Sequence, residues 1–342
     1  MSVRALAREL GISPTAVSLA LKNSPRISAE LRDRVQALAK KLGYTPNARL
    51  SEVMDEVRRS AAPAYRATLA AISLYPAEEP WAKPPYLYLR DVLDSATERA
   101  NAHGYRMEYI WLKKPGQSPL GCRSLLEARG IQGIFCLGSP DPEEELPKEF
   151  KGFAVVTFSA SIPTKLHRVV SHFSADASTL FDRLLRRGYQ RPGLAILVHG
   201  DRRTEHAYSA TYLGVWERLL HSHPIPVLRA DTWNAADFDA WFTTQRPDVI
   251  VMHQSPAYIA GVEAYLAQRK LRVPRDIGLA LLDLNPDRER YSGICQDPKR
   301  MSATAVEILI GRILLRDFEP PKFPKFELVA GEWNPGQTLR PE

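Results

Sequence analysis

Residues 2–47 read SVRALAREL-GISPTAVSLAL-KNSPRIS-AELRDRVQALAKK-LGYTPN, and the spacing predicts three short helices separated by tight breaks. The first runs from Val3 to Leu10 with Ser2 as its N-cap, and Gly11 stops it. Ser13-Pro14 opens the second: a serine hydroxyl accepts from an orphan N–H, and a proline at the first helical position loses no hydrogen bond. That helix stops at Asn23-Ser24-Pro25. Ser28 caps the third, with Glu30 in its first turn, where the macrodipole favours an acid. Leu31, Val35, Leu38 and Leu42 form its apolar stripe, and Gly43 ends it at a position that needs positive φ. Ala7, Gly11 and Val17 supply the small helix residue, the turn glycine and the branched core residue of a helix-turn-helix. The exposed start of the second helix is what such a motif pushes into a DNA major groove. So short a segment has a small core and only marginal stability of its own.

Charge points the same way. Residues 1–60 hold 11 Lys+Arg against 6 Asp+Glu, a net of +5, while the remainder holds 35 against 33. A chain whose positive charge collects at one end suggests a nucleic-acid contact there. The 342 residues allow two or three domains, and 44% hydrophobic with 25% charged content is ordinary for a globular protein. Cys122, Cys136 and Cys295 form no C-x-x-C pair and read as buried thiols of a reduced, cytoplasmic chain. No apolar run is long enough to span a bilayer, and the start lacks the apolar core of a signal peptide, so no membrane partner is expected.

After Tyr44-Thr45-Pro46-Asn47, a short amphipathic helix is expected from Asn47, with Leu50, Val53, Met54 and Val57 on one face, followed by linker to residue 64. So short a helix is marginal alone and needs a partner for that face. From Ala67 onward strands and helices alternate. Strands are expected at 67–74, 106–112, 133–137, 154–158, 193–198, 249–252 and 277–282. Helices are expected at 89–102, 123–129, 177–187, 208–220, 238–244, 258–269 and 302–314. Repeated βα units imply parallel sheets covered by helices, and the number of strands suggests two doubly wound subdomains meeting near residues 171–176. The expected division is a headpiece at 1–46, a hinge helix and linker at 47–64, and a core at 65–342. Within the core, one subdomain takes about 65–172 plus 297–322 and the other about 173–296 plus 323–342.

The run ALARELGISPTAVSLAL, followed by ISAELRDRVQALAKKLGYTPN, resembles the headpiece of the LacI/GalR family of bacterial transcription regulators. Weaker likenesses follow in LLRRGYQRPGLAI (Leu184–Ile196), LRVPRDI (Leu271–Ile277) and Gln296-Asp297. The resemblance implies a multidomain chain: an all-α headpiece and hinge helix, then an α/β core like type I periplasmic binding proteins. It implies a repressor that binds a palindromic operator as a homodimer, with a small molecule, a carbohydrate, in the core cleft altering DNA affinity. An activator, or a regulator controlled by a protein partner or by no ligand, has the same architecture.

Carried over residue by residue, the base-reading positions are Pro14, Thr15 and Leu19. Thr15 can hydrogen-bond a base edge or touch a thymine methyl. Leu19 stands where many members carry arginine, and either touches a thymine methyl or packs into the core. Ser13, Ser18, Lys22, Arg26, Ser28 and Asn47 match phosphate-contact positions, though Ser13 and Ser28 also read as pure helix caps. In the hinge, Leu50, Val53 and Met54 are the minor-groove candidates, with Val53 favoured as the wedge and partner-helix packing the other reading.

Ligands of doubly wound domains sit at the C-terminal ends of the strands. That rule and the resemblance select Tyr75, Trp81, Ser139, His199, Thr211, Ser255 and Asp283 as effector candidates, with Ser159, Asp201 and His253 nearby. The family's ligand arginine becomes Thr211, and its Asn-Asp pair becomes Ser255-Pro256. Only the first acid of its D-D motif survives, as Asp283. A short hydroxyl in place of a guanidinium points to an unfamiliar ligand. No catalytic constellation is present: G-x-S-x-G, G-x-G-x-x-G and the P-loop pattern are all missing, so no enzyme, cofactor or metal is expected.

Overall fold

The computed structural model describes residues 3–21, 27–41, 65–220, 223–253, 255–284 and 289–342. The chain divides into two compact units, 1–64 and 65–342. The expected hinge helix and linker, with Asn47, Leu50, Val53 and Met54, lie outside the described residues, as do Lys22 and Arg26.

In the first unit, α1 (Val3–Leu10), α2 (Pro14–Leu21) and α3 (Ala29–Lys41) pack around Leu6, Ala7, Val17, Ala20, Val35 and Ala39. Gly11 ends α1 at φ +64°, where a Cβ would be strained. Its N–H reaches the Arg8 carbonyl (3.3 Å), and that of Ile12 reaches Ala7 (3.0 Å). This pair of bonds satisfies carbonyls that a helix end otherwise leaves open, and it turns Ile12 onto the apolar cluster.

The second unit holds two six-stranded sheets. The first contains β1 (Ala67–Ser73), β2 (Tyr105–Trp111), β3 (Gly133–Cys136), β4 (Ala154–Phe158), β5 (His167–Ser171) and β11 (Phe326–Val329). Their order is β11-β5-β4-β3-β1-β2, and all are parallel. The second contains β6 (Pro192–Leu197), β7 (Leu228–Ala230), β8 (Val249–Met252), β9 (Gly278–Leu284), β10 (Ser292–Cys295) and β12 (Glu332–Asn334). Their order is β12-β10-β9-β8-β6-β7, with β12 antiparallel to β10.

The strands' near-continuous apolar runs follow from burial on both faces. Along β1, Leu69 and Ala71 join a cluster with α4 (Tyr88–Ala102) and α11 (Pro298–Leu315). The alternate residues Ala70 and Ile72 enter another cluster with α5 (Pro119–Ala128). Cys122 and Cys136 are buried in that second cluster, and burial pushes the Cys136 thiol up to about 11. The second sheet is covered by α6 (Phe173–Arg186), α8 (Ala207–Val215), α9 (Ala235–Gln245) and α10 (Pro256–Gln268) around a single cluster. The helix expected at 208–220 keeps regular geometry only to Val215 and continues with π-type bonding over Trp216–Leu220.

The chain crosses between the sheets after β5, after β10 and after β11. Because β11 lies alongside β5, residues 326–329 belong to the first sheet, a correction to the boundary at 323. The return to the second sheet comes only at Gly331. All three crossings meet there. The Gly331 N–H donates to Asp176 Oδ1 at 2.9 Å. A Cβ on this glycine would stand 2.4 Å from Ile294 Cγ2 and 3.0 Å from the Cys295 carbonyl.

Asp176 is buried, and Oδ2 has no hydrogen-bond partner. Burial raises its pKa, against the lowering effect of the Gly331 N–H. Asp176→Ala should cost about 1–3 kcal/mol by orphaning that N–H, and Asp176→Asn, which keeps an acceptor, should cost less. Because the folded-state pKa is raised, this group's contribution is present below the ordinary aspartate value of about 3.9. It is lost as pH climbs through the folded pKa. Urea unfolding across that range should show this component of the slope in the wild type and not in Asp176→Asn; equal slopes would refute the assignment.

Candidate functional site

The three-helix unit presents α2 between two capped starts. Ser13 Oγ accepts the Ala16 N–H at 3.1 Å, and Ser28 Oγ accepts that of Leu31 at 3.3 Å. Both serines are exposed, so capping leaves their hydroxyls open to a further partner. Val17 and Ala20 turn α2 inward. Leu19 is half-buried and does not belong to the apolar cluster or its flank among the described residues. Position 15 is one helical turn before it and therefore on the same face. Pro14, Thr15 and Ser18 lie on α2, and their side chains fall outside the described residues.

In the second unit, the candidates of the first sheet's side follow the C-terminal ends of β1 and β3, and those of the second sheet's side lie at or after the ends of β6, β8 and β9. On the first side, Tyr75 is buried against Tyr86, ring centroids 5.0 Å apart, and Tyr88 lies 6.5 Å from Phe158. Burial and the neighbouring Tyr88 push the Tyr75 hydroxyl well above the usual tyrosine range, so it stays protonated. Trp81 instead sits edge-on to Tyr109 at 5.0 Å, with Arg90 over its ring. Ser139 is fully buried, and its hydroxyl donates to Glu144.

On the second side, Phe173 packs on Tyr208 (5.5 Å), and Tyr208 packs on His253 (5.1 Å). His253 Nδ1 lies 3.3 Å from Asp283 Oδ2. Its Nε2 is buried without a hydrogen-bond partner, 2.9 Å from where a Cβ on Gly200 would stand. Gln296 Nε2 donates to the Tyr208 hydroxyl at 3.2 Å. Thr211 is half-buried on α8, and Ser255 is half-buried just before α10. Asp201 is buried, with Ser209 and His206 on its Oδ2.

Arg203 is the residue that sequence reasoning passes over. It ends α7 (Val198–Arg203), and its Nη2 donates 3.0 Å to the Ser139 carbonyl, from the second sheet's side to the first's. The available signal was its place in the short helix that follows β6, at the ligand end of the sheet. A cavity of about 710 Å³ opens beside it. His199 lines that cavity; Tyr75, Trp81, Ser139, Thr211, Ser255 and Asp283 do not. Burial and Arg203 lower the His199 pKa, so its ring is neutral at neutral pH. Among the described residues no group of His, Cys, Asp and Glu has the arrangement of a metal site, and no helix is long and apolar enough to cross a membrane.

Comparison with known proteins yields two family matches. The family described as bacterial regulatory proteins, lacI family, matches residues 3–47, and the periplasmic binding protein-like domain matches residues 181–339. The HTH-type transcriptional regulator Rv3575c of Mycobacterium tuberculosis is 27% identical over 233 residues, 64% of this chain. The match spans 62% of that relative, less than two thirds of its length. A lac repressor dimer bound to operator and the anti-inducer ONPF has a TM-score of 0.58 at 16% identity, covering 99% of this chain and 98% of that one. The transcriptional regulator CelR in complex with cellobiose has a TM-score of 0.59 at 16% identity, covering 99% of both chains. At such identity the likeness to the two solved structures is one of fold.

The caps give a direct test of the three-helix unit. Ser13→Ala and Ser28→Ala should each destabilise it by about 1 kcal/mol, and the pair by about their sum. Hydrogen exchange should quicken across α2 and α3 while residues 65–342 keep their protection. Unchanged exchange in α2 and α3 would show that the hydroxyls contribute no capping energy.

Proposed function

The chain belongs to the LacI family of bacterial regulatory proteins, and from that premise we propose that it is a sequence-specific DNA-binding transcriptional repressor. It binds a palindromic operator as a homodimer in the cytoplasm, and a carbohydrate entering the core cleft changes its DNA affinity. The observation that carries the reading is α2, capped by Ser13 and anchored inward by Val17 and Ala20, with position 15 and Leu19 on the face turned from the cluster.

In this reading, Pro14, Thr15 and Leu19 meet base edges. Ser13, Ser18, Lys22, Arg26, Ser28 and Asn47 position the helix on phosphates, and Leu50, Val53 and Met54 enter the minor groove from the hinge. Leu19 cannot pair with guanine O6/N7 as arginine does, so that operator step is read through a thymine methyl. In the cleft, Asp283 accepts from sugar hydroxyls and the aromatic rings beside Tyr75 offer a stacking face. Trp81, Ser139, His199, Thr211 and Ser255 complete the candidate set. A second reading, an activator or a regulator governed by a protein partner or no ligand, is favoured by one observation: Ser139 and Tyr75 are buried against the protein's own side chains.

Selection from randomised operators should give a palindrome, and Leu19→Arg should shift one symmetric step of it toward guanine. Identical sites for both proteins would mean that Leu19 reads nothing. Lys22→Ala and Arg26→Ala should each flatten the log–log salt dependence by about 0.9 for every phosphate no longer neutralised. Calorimetry against a panel of mono- and disaccharides should find a binder that alters operator affinity; a panel without one would remove the carbohydrate from the reading.

A further inference from the structure

The cavity beside Arg203 is large enough for a metabolite: its roughly 710 Å³ falls within the usual 300–1,000 Å³ of small-molecule sites. Its cations come from both sides of the unit. Lys165, Arg168 and Lys322 belong to segments of the first sheet's side, and Arg202 and Arg203 to α7 on the second's. Three carboxylates also line it, Glu143, Glu205 and Asp231, which leaves a positive excess of two. Among the described residues Lys165, Arg202 and Lys322 are exposed and make no ion pair.

Arg168 is the strongest sign of an absent partner. It is only 7% exposed. Its two terminal nitrogens donate to the Ile162 and Thr164 carbonyls, while the buried Nε has no acceptor. Its guanidinium lies over the Phe326 ring at 5.3 Å, which supplies attraction but no negative charge. Among the described residues no carboxylate lies within ion-pair distance of it, and Glu205 acts on it only from farther away. A buried guanidinium without a counter-ion is costly, and an anion in the cavity would offset that cost. The cavity also has an apolar wall that water does not reward: Phe323 and Phe326 are 78% and 47% exposed.

We propose that this cavity binds a small phosphorylated metabolite, with the phosphoryl group held by Arg202, Lys165 and Lys322 and the ring it carries set against Phe323 and Phe326. A phosphoryl group has three terminal oxygens, enough to take donors arriving from separate elements, and arginine forks match it well. A ligand so held engages both subdomains at once and therefore favours one angle between them. Tyr75, Ser139 and Asp283 do not line this cavity, while His199 and Arg203, which bonds the Ser139 carbonyl, do; the inference therefore rests on the reading of an effector between the two subdomains and names its chemical class.

Calorimetry on the full chain at low salt tests it, with glucose 6-phosphate, adenosine monophosphate, glucose and citrate as probes. One or both phosphorylated probes should bind, and whichever does identifies the phosphoryl source as sugar or nucleotide. Excess glucose should not displace them. Lys165→Ala and Arg202→Ala, both at exposed positions, should each weaken binding about tenfold, and Arg202→Lys should restore part of the loss. Failure of both phosphorylated probes to bind, an unchanged Kd in the alanine variants, or equally tight citrate binding would overturn the proposal. None of these outcomes depends on operator selection or the sugar panel.

Discussion

Everything in the second unit turns on the place where three stretches of chain pass one another at Gly331. The two sheets share no strand, so their relation is set where the chain leaves β5, β10 and β11. Those three segments converge with no room for a Cβ, since Ile294, Cys295 and the Asp176 carboxylate occupy the space. Close packing of this kind is not continuously deformable. Sliding of one sheet past the other at the crossing is therefore opposed. The single N–H donated by Gly331 to Asp176 fixes α6 to the third crossing and so ties the start of the second subdomain to its end.

The fold was legible wherever the apolar pattern was long. β1, β3, β4 and β8 read directly as short apolar runs, and the helices at 89–102 and 258–269 differ from observation by a residue or two at their ends. β5 was hidden because it begins His167-Arg168, which reads as a loop. Both side chains are nonetheless buried, Arg168 holding the Ile162 and Thr164 carbonyls and His167 accepting the Lys325 N–H. β7 and β12 are edge strands of three residues, too short for a periodicity. β11 is an exposed edge whose Phe326 and Leu328 point outward, so no buried face marks it in sequence.

The candidate sites were legible to different depths for the same reason. In α2, caps and core positions are local, and Ser13, Gly11 and Val17 announce them within a few residues. The cleft is assembled from loops far apart in sequence, and only the rule about strand ends could reach it. That rule located Tyr75, Ser139, His199 and Asp283 at the ends of β1, β3, β6 and β9. It could not say that Ser139 would be fully buried with its hydroxyl on Glu144, or that of these four only His199 would line the cavity beside Arg203. Arg203 escaped because a six-residue helix containing a glycine carries no apolar stripe, and its partner is a backbone carbonyl that no side-chain pattern can reveal.

A bond between the two sides needs little energy to matter to the angle between them. The Arg203 hydrogen bond to the Ser139 carbonyl joins the two sides, and a bond from a charged donor contributes about 1.5–3 kcal/mol. Allosteric coupling between sites is typically about 1–3 kcal/mol. Making or breaking this one bond is therefore of the size required to bias the angle between the sheets, provided the ligand binds one angle better than the other. Arg203 stands where such a difference can arise, bonded to Ser139 of the cleft and lining the cationic cavity. On the proposal that an anion binds there, drawing the guanidinium away from Ser139 would loosen this link between the sheets, and holding it in place would reinforce the link. The direction of the response thus depends on which of its partners Arg203 keeps.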